Sequence, residues 1–244
     1  MPRWDKGYGV QIRHEWRTEE DLLLNRTKVG RGFGEDVEIV HVESVYTWDK
    51  SIRVTAKFPY VLNASRELPD GSGGKLFQHD SGPGDPILAL PLKKYFNLDG
   101  RSGSWTMAPQ IQVSMSGSDE YEVYENVWGQ GISFGYETVT YRYILNVGTS
   151  AWFFGGDEPF TARVSLDIGV NFEAFNSNGH VKWESDYFWE DDESATLYMG
   201  PALYYRFCDE WHGRLSYRYD FYDKQGILDH GNGSQFIVGV AFVY

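Results

Sequence analysis

The sequence predicts an all-β fold, a transmembrane antiparallel up-and-down β-barrel of about 12 strands. Three observations predict this class. Apolar and polar residues alternate with a period of two along most of the chain, the apolar stripes are long, and short connections between strands alternate with long ones. No run of about 18 apolar residues occurs, which excludes a transmembrane helix.

The alternation is clearest in two stretches. In 5–17, apolar residues occupy one face and mostly charged residues the other. In 160–175, one face is apolar from Phe160 to Phe172, roughly 40 Å at about 3.3 Å per residue, whereas soluble strands usually span about five or six residues. The same pattern predicts strands at 5–17, 35–48, 51–61, 86–97, 104–116, 128–138, 141–153, 160–175, 180–189, 195–208, 211–222 and 234–244.

The connections alternate in length, as in bacterial barrels with tight periplasmic turns and long outer loops. The short ones are 49–50, 98–103, 139–140, 176–179 and 209–210, and the mostly longer ones are 18–34, 62–85, 117–127, 154–159, 190–194 and 223–233. The strand at 180–189 has the weakest pattern, but Asn178-Gly179 is a hairpin signal, and an even strand number places both chain ends on one side. No linker interrupts the chain, so we predict one domain over residues 1–244.

A membrane barrel must turn its apolar stripes outward, which places the polar stripes in the lumen. The predicted pore-lining residues are Arg13, Arg53, Lys57, Gln110, Gln112, Arg163, Asp167, Arg214 and Arg218. Aromatic residues near the strand ends predict girdles at the two membrane interfaces, formed by Trp16, Trp48, Tyr60, Trp128, Trp152, Trp189, Trp211 and Tyr244. The alternative is a soluble sandwich or lipocalin-like barrel with the apolar stripes inside.

Composition and motifs argue against several functions. The formal net charge of −13 without a basic cluster argues against nucleic acid, and Cys208 is the only cysteine, so no intrachain disulfide or spaced Cys/His zinc set exists. We predict no enzyme, because His212 lies about 13 Å from Ser216 along a strand, too far for direct contact, and the other histidines form no recognisable set. Catalytic residues, metal ligands and cofactors are therefore not expected. We expect solvated acidic loops at Asp119, Glu120, Glu122 and Glu125 and at Glu190, Asp191, Asp192 and Glu193.

Three motifs resemble a known family. They are "TWDKSIRVTAKFPYVLN", "GPGDPILALPLKKYF" and "GSWTMAPQIQVSMSG", followed by "LYMGPALYYRF" and "WHGRLSYRYDF" as a closing hairpin. In this order they resemble the bacterial meta-pathway phenol-degradation (MetA) or transporter-like barrel family over about residues 5–244. The resemblance implies a signal-bearing precursor, an outer-membrane barrel and uptake of small, often aromatic or hydrophobic, compounds. Locally, Gly82 to Pro86 predicts a turn with Asp85 as its cap, and Pro109 falls in mid-strand.

These observations predict an outer-membrane channel or facilitator for small molecules, including aromatic or hydrophobic ones. A closed structural barrel with interacting loops, a barrel hydrolase and a soluble binding protein are the alternatives. The expected partners are the lipid bilayer, lipopolysaccharide, a small-molecule solute and the barrel-assembly machinery, which reads terminal strands such as the one ending at Tyr244. Met1 is followed by no signal peptide, so we expect either a cytoplasmic chain or a mature chain whose signal was replaced by a start Met.

Overall fold

The computed structural model describes residues 7–115, 123–124, 126–156, 158–172 and 178–244. This part of the chain is built from β-strands, and it contains no helix long and apolar enough to cross a bilayer. The strands are β1 (Gly7–Asn25), β2 (Thr27–Asp49), β3 (Ile52–Pro69), β4 (Lys75–Pro83), β5 (Ile87–Ala89), β6 (Leu92–Leu98), β7 (Arg101–Gln112), β8 (Gly129–Thr140), β9 (Tyr143–Phe154), β10 (Thr161–Phe172), β11 (Gly179–Glu190), β12 (Ala195–Arg206), β13 (Trp211–Gly231) and β14 (Ser234–Val243).

The strands close into an antiparallel ring. Each wall strand pairs with its sequence neighbours, β1 pairs with β14, and β3 closes the circuit by pairing with both β2 and β5. β5 and β6 share one position in the ring, and β4 pairs with β3 alone, so the wall has 12 positions. The predicted fold class, including the weak strand at 180–189, is confirmed.

Two prolines lie where the ladder is interrupted. In an antiparallel strand, the N–H and C=O of one residue point to the same neighbour. The Pro109 carbonyl accepts from the Leu90 N–H at 3.0 Å, so its missing N–H faces the break between β5 and β6. Likewise, the Pro59 carbonyl accepts from the Gly84 N–H at 3.0 Å, next to the break between β4 and β5. A mid-strand proline therefore costs no ladder hydrogen bond here.

Apolar side chains point out of the ring and polar ones point in. Ile12 is 54% and Ile168 is 56% exposed on the outer surface. Glu184 and Arg218 on the inner surface are 4% and 8% exposed. A water-soluble barrel would need the opposite order, so the soluble alternative is wrong.

The predicted girdle residues lie on the outer surface with one exception. Trp152 shares its face of β9 with Gly148 and Asn146 and lines an internal cavity, so its assignment to the girdle is wrong. Its ring packs over Gly131, where a Cβ would come within 2.6 Å of it. The missing side chain of Gly131 makes room for an indole inside the barrel.

Three predicted loops are largely strand. We call the barrel end where Tyr8 pairs with Tyr244 the terminal end, and the opposite end the distal end. At the distal end β1, β2, β3 and β13 run past the wall, and β4 adds a hairpin to β3. We call residues 19–35, 62–83 and 220–231 the distal extension. Alternation did not predict these strands because neither of their faces needs to meet lipid, so no long apolar stripe is required.

Some predictions lie outside the described residues. These are the strand ends at 5–6, 116 and 173–175, and the acidic residues Asp119, Glu120, Glu122 and Glu125.

Candidate functional site: the lumen

Three adjoining cavities occupy the interior of the ring. The distal cavity has a volume of about 730 Å³, the side cavity about 560 Å³ and the terminal cavity about 550 Å³. Lys57 and Arg163 line both the distal and the side cavity. Tyr204 and Arg214 line both the distal and the terminal cavity, and Glu43 lines both the side and the terminal cavity. Through these shared residues, the cavities follow one another from the distal to the terminal end.

The first wall of the lumen, β1 to β3, carries charged groups that are incompletely paired. Arg13 on β1 forms an ion pair with Glu43 on β2. Lys57 on β3 is the cross-strand neighbour of the same Glu43. His41 lies 2.9 Å from Glu15, so this carboxylate is also engaged. Two cations of the first wall, Arg13 and Lys57, therefore compete for one carboxylate.

The second wall, β10 to β13, carries a ladder of ion pairs. Asp186 is its centre, because Arg163 donates to one of its oxygens at 2.9 and 2.6 Å, and Arg218 binds the other. Glu184, two residues earlier on β11, accepts from Arg214 at 2.7 Å and from the Tyr204 hydroxyl at 2.6 Å. Charge-assisted hydrogen bonds of this kind are the strong ones, and in a low dielectric they hold neighbouring strands in register.

The ladder continues toward the terminal end. Asp167 on β10 accepts from the Asn146 amide at 3.1 Å and lies 3.9 Å from the Lys182 ammonium. Lys182 also lies 4.8 Å from the centre of the Tyr204 ring, within reach of a cation–π contact. Each of these second-wall cations therefore faces a carboxylate.

Two described residues of the connection between β7 and β8, Val123 and Tyr124, line the distal cavity. Tyr124 lines that cavity, and its ring rests on Gly84, where a side chain would clash with it. With Val123, Tyr124 packs against an apolar cluster of Val37, Ile39, Val61 and Ala64 on the first wall. The tyrosine therefore narrows the cavity from the side of the first wall.

One buried acid, Asp85, and one half-buried acid, Asp80, bind described residues of this connection and of the end of β7. Asp85 is 1% exposed and accepts from the Met115 N–H at 2.8 Å and the Gln112 amide at 3.3 Å. Asp80 accepts from the Val123 N–H at 2.9 Å. The predicted capping role of Asp85 within its own turn is therefore replaced by a hydrogen bond across to the end of β7.

Most of the predicted pore-lining residues line these cavities: Arg13, Lys57, Gln110, Arg163, Asp167, Arg214 and Arg218. Arg53 and Gln112 do not. Arg53 is 3% exposed and donates to the Tyr95 hydroxyl at 2.9 Å, and the Gln112 amide binds Asp85 and the Val127 carbonyl. The carboxylates Glu43, Glu184 and Asp186 were missed as partners, although their place on polar faces of their strands signalled an inward orientation.

Comparison with known proteins gives a fold and no family. No protein-family model matches the chain, and no curated protein matches it. A solved structure of the KdgM porin in complex with disordered oligogalacturonate is similar, with a TM-score of 0.57 and 9% identity, over 97% of this chain and 99% of that one. A second structure of the KdgM porin has a TM-score of 0.54 and 9% identity over the same shares of the two chains. At this identity the likeness shows the fold alone: that of an outer-membrane β-barrel.

Proposed function

We propose that the chain is an outer-membrane channel that lets small polar solutes diffuse through its lumen. One observation carries the proposal: a closed ring with an apolar outer surface encloses adjoining cavities lined by charged and hydroxyl side chains. Enclosing charged side chains in this way costs free energy if the interior holds no water to hydrate them. A water-filled path for solutes hydrates these charged groups and thereby explains their position in the lumen.

The chemistry of the lumen supports passage rather than turnover. The second-wall arginines are engaged with carboxylates, and the first-wall histidine His41 is hydrogen-bonded to Glu15. That the lumen has no catalytic role is a part of the proposal. Membership of the MetA family, contact with lipopolysaccharide and recognition of the terminal strand by the barrel-assembly machinery are further parts of the proposal. The motifs support the first, and the apolar β14, followed by the terminal Tyr244, supports the last.

Conductance in planar bilayers tests the channel. Refolded protein is first checked for β-structure by circular dichroism and for heat-modifiable migration on gels, and is then added to a bilayer in KCl. We expect discrete current steps. A folded sample that gives no current and admits no neutral sugar into liposomes would instead support the closed structural barrel.

A specific observation favours passage of aromatic or apolar solutes as a second candidate. An apolar groove of about 640 Å³ opens on the outer surface, lined by Trp105, Met107 and Val147 among others. It shares Gly135 and Gly148 with the side cavity, so the wall between groove and lumen is thin there. Toluene uptake by cells that express the protein tests this route. It should exceed uptake by cells with an empty vector. Val147→Trp, which fills the groove at a residue outside the side-cavity lining, should lower it while KCl conductance persists. Equal uptake by both cell types would remove the second candidate.

A further inference from the structure

We propose that the place where the distal and side cavities meet is a binding site for a small hydroxylated carboxylate. The proposal rests on the channel function and specifies its solute. Three cations, Arg13, Lys57 and Arg163, line both cavities and mark the junction. We call them the junction cations.

Lys57 is the junction cation that forms no ion pair with a described residue. Within the described part of the chain it forms no ion pair and no hydrogen bond, while its neighbour Glu43 is held by Arg13. The Lys57 side chain is half-buried in the lumen wall. A cation that is only partly hydrated and has no protein partner attracts anions more strongly than one in bulk water.

The third junction cation approaches from the opposite wall. Following the ring from β3 to β10 passes β5, β7, β8 and β9, so Arg163 faces Lys57 across a ring of 12 positions. Arg163 shares Asp186 with Arg218, which leaves one carboxylate for two guanidinium groups. An anion between the walls would therefore meet an excess of positive charge on both sides.

The lining of the side cavity also carries an excess of positive charge. The titratable side chains in its lining are the junction cations and Glu43, that is, three cations against one carboxylate. The lining of the distal cavity, by contrast, is balanced: its six carboxylates are matched by six lysine and arginine side chains. The carboxylates are Glu15, Asp167, Glu184, Asp186, Glu190 and Asp229, and the cations are Arg13, Arg17, Lys57, Arg163, Arg214 and Arg218. The side cavity is thus the electropositive compartment of the lumen, and an anion would be held there rather than toward the distal end.

The remaining lining indicates which kind of anion fits. Hydroxyl groups from four successive strands surround the side cavity, supplied by Thr106, Ser133, Ser150 and Ser165, and Gln110 adds an amide. Trp152 closes one side with the face of an indole. Hydroxyl and amide groups offer donors and acceptors to a polyol, and a flat aromatic ring packs against its C–H groups. A carboxylate bearing hydroxyl groups satisfies both the cations and this wall.

Gluconate is the probe, and sorbitol is its neutral counterpart. In bilayers, millimolar gluconate should reduce the wild-type KCl current in a concentration-dependent way, and sorbitol should have little effect. Lys57→Met should raise the half-blocking concentration of gluconate about tenfold. Lys182→Met is the matched control, because Lys182 also lies in the lumen but has Asp167 as partner, and it should change that concentration less than twofold.

Two further variants test the anion site, and the outcomes distinguish a failure of that site from a failure of the channel. Lys57→Arg should keep gluconate block, and Lys57→Glu should shift the reversal potential in a KCl gradient toward cation selectivity. Channels that conduct but show equal gluconate block in the wild type, Lys57→Met and Lys182→Met would overturn the anion site and leave the channel standing. Absence of any current from folded wild-type protein would remove the channel itself.

Discussion

The two walls of the lumen differ in how their charged side chains are paired. On the second wall, Asp186 and Glu184 are both nearly inaccessible and each binds two partners. On the first wall, the Arg13–Glu43 pair is more open, Lys57 forms no ion pair with any described residue, and an apolar cluster packs against Tyr124. The comparison suggests that the second wall stabilises the barrel and the first wall governs what passes through it.

Removing the centre of the ionic ladder should have the largest effect. Asp186→Ala leaves Arg163 and Arg218 without their shared carboxylate, and breaking a buried pair in this way costs about 3 kcal/mol or more. We expect the free energy of unfolding in urea, measured in detergent micelles by tryptophan fluorescence, to fall by about that amount.

Glu43→Ala on the first wall is the matched control for that measurement. The Glu43 side chain is 19% exposed, compared with 5% for Asp186, so water can replace more of the lost interaction. We expect a loss of about 1 kcal/mol or less, in the range of partly solvated pairs. Equal losses for the two variants would contradict the division of roles between the walls.

Releasing the β7–β8 connection, which packs against the first wall, should change the single-channel conductance more than the free energy of unfolding. Asp85→Ala removes the acceptor for the Met115 N–H, and Tyr124→Ala removes the ring that narrows the distal cavity. Each variant should raise single-channel conductance, by about twofold if Tyr124 is the narrowest point. Bilayer recordings in KCl measure it.

The control for this prediction is Asp70→Ala, at the tip of the β3–β4 hairpin. Asp70 accepts hydrogen bonds from the Ser72 and Gly74 N–H groups at the exposed tip and touches neither Tyr124 nor Met115. These bonds hold the pKa of Asp70 below its ordinary value, so it remains charged at the pH of the recordings. Its removal should leave conductance unchanged. If the Asp85→Ala variant does not fold, Tyr124→Ala alone decides the prediction.

A smaller shift is expected from Glu43→Gln, which frees Arg13 while keeping the size of its partner. With two unpaired junction cations on the first wall, the channel should become more selective for chloride over potassium, by about twofold in the permeability ratio. Reversal potentials across a KCl gradient measure this ratio. A ratio equal to that of the wild type would show that the first wall does not govern selectivity.

Sequence alternation could predict which way these side chains point, because residues two apart in a strand share a face. Arg13, Lys57 and Asp167 were placed inside on that basis. The pairing of Arg163 and Arg218 with Asp186 could not be predicted, because it depends on the registers of three strand pairs, β10–β11, β11–β12 and β12–β13. A shift of one residue in any of those registers would change the partner.

Two other features could not be predicted from the sequence, each for a different reason. Trp152 has the same parity as Asn146 in its strand, yet its position near a strand end favoured a girdle assignment. The strands of the distal extension have no apolar stripe, because neither of their faces needs to meet lipid. Periodicity therefore predicts the membrane-spanning part of such a chain and is silent about strands that stand in water.

The smallest effect concerns a contact between the two walls in the distal extension. His230 on β13 is 2% exposed, and its Nε2 lies 3.0 Å from the Glu67 carbonyl on β3. Burial disfavours the charged imidazole, but the attraction of Asp229, 3.8 Å from Nδ1, and the Glu67 carbonyl outweigh it, so the pKa of His230 is raised above its ordinary value. Because the pKa of His230 is raised in the folded protein, its protonation stabilises the contact. This stabilisation is fully present below about pH 6.5, the ordinary pKa of histidine, and it is lost as the pH rises through the folded-state pKa.

Hydrogen exchange of the backbone amides at 64–68 measures this contact. After correction for the intrinsic rate, their protection should be about twofold greater at pH 6 than at pH 8. His230→Gln should remove that difference, because a glutamine side chain does not titrate. His79→Gln, which changes an exposed histidine on β4 of the same hairpin, should preserve it. A pH dependence that survives in His230→Gln would assign the effect to another group and leave the two walls uncoupled at the distal end.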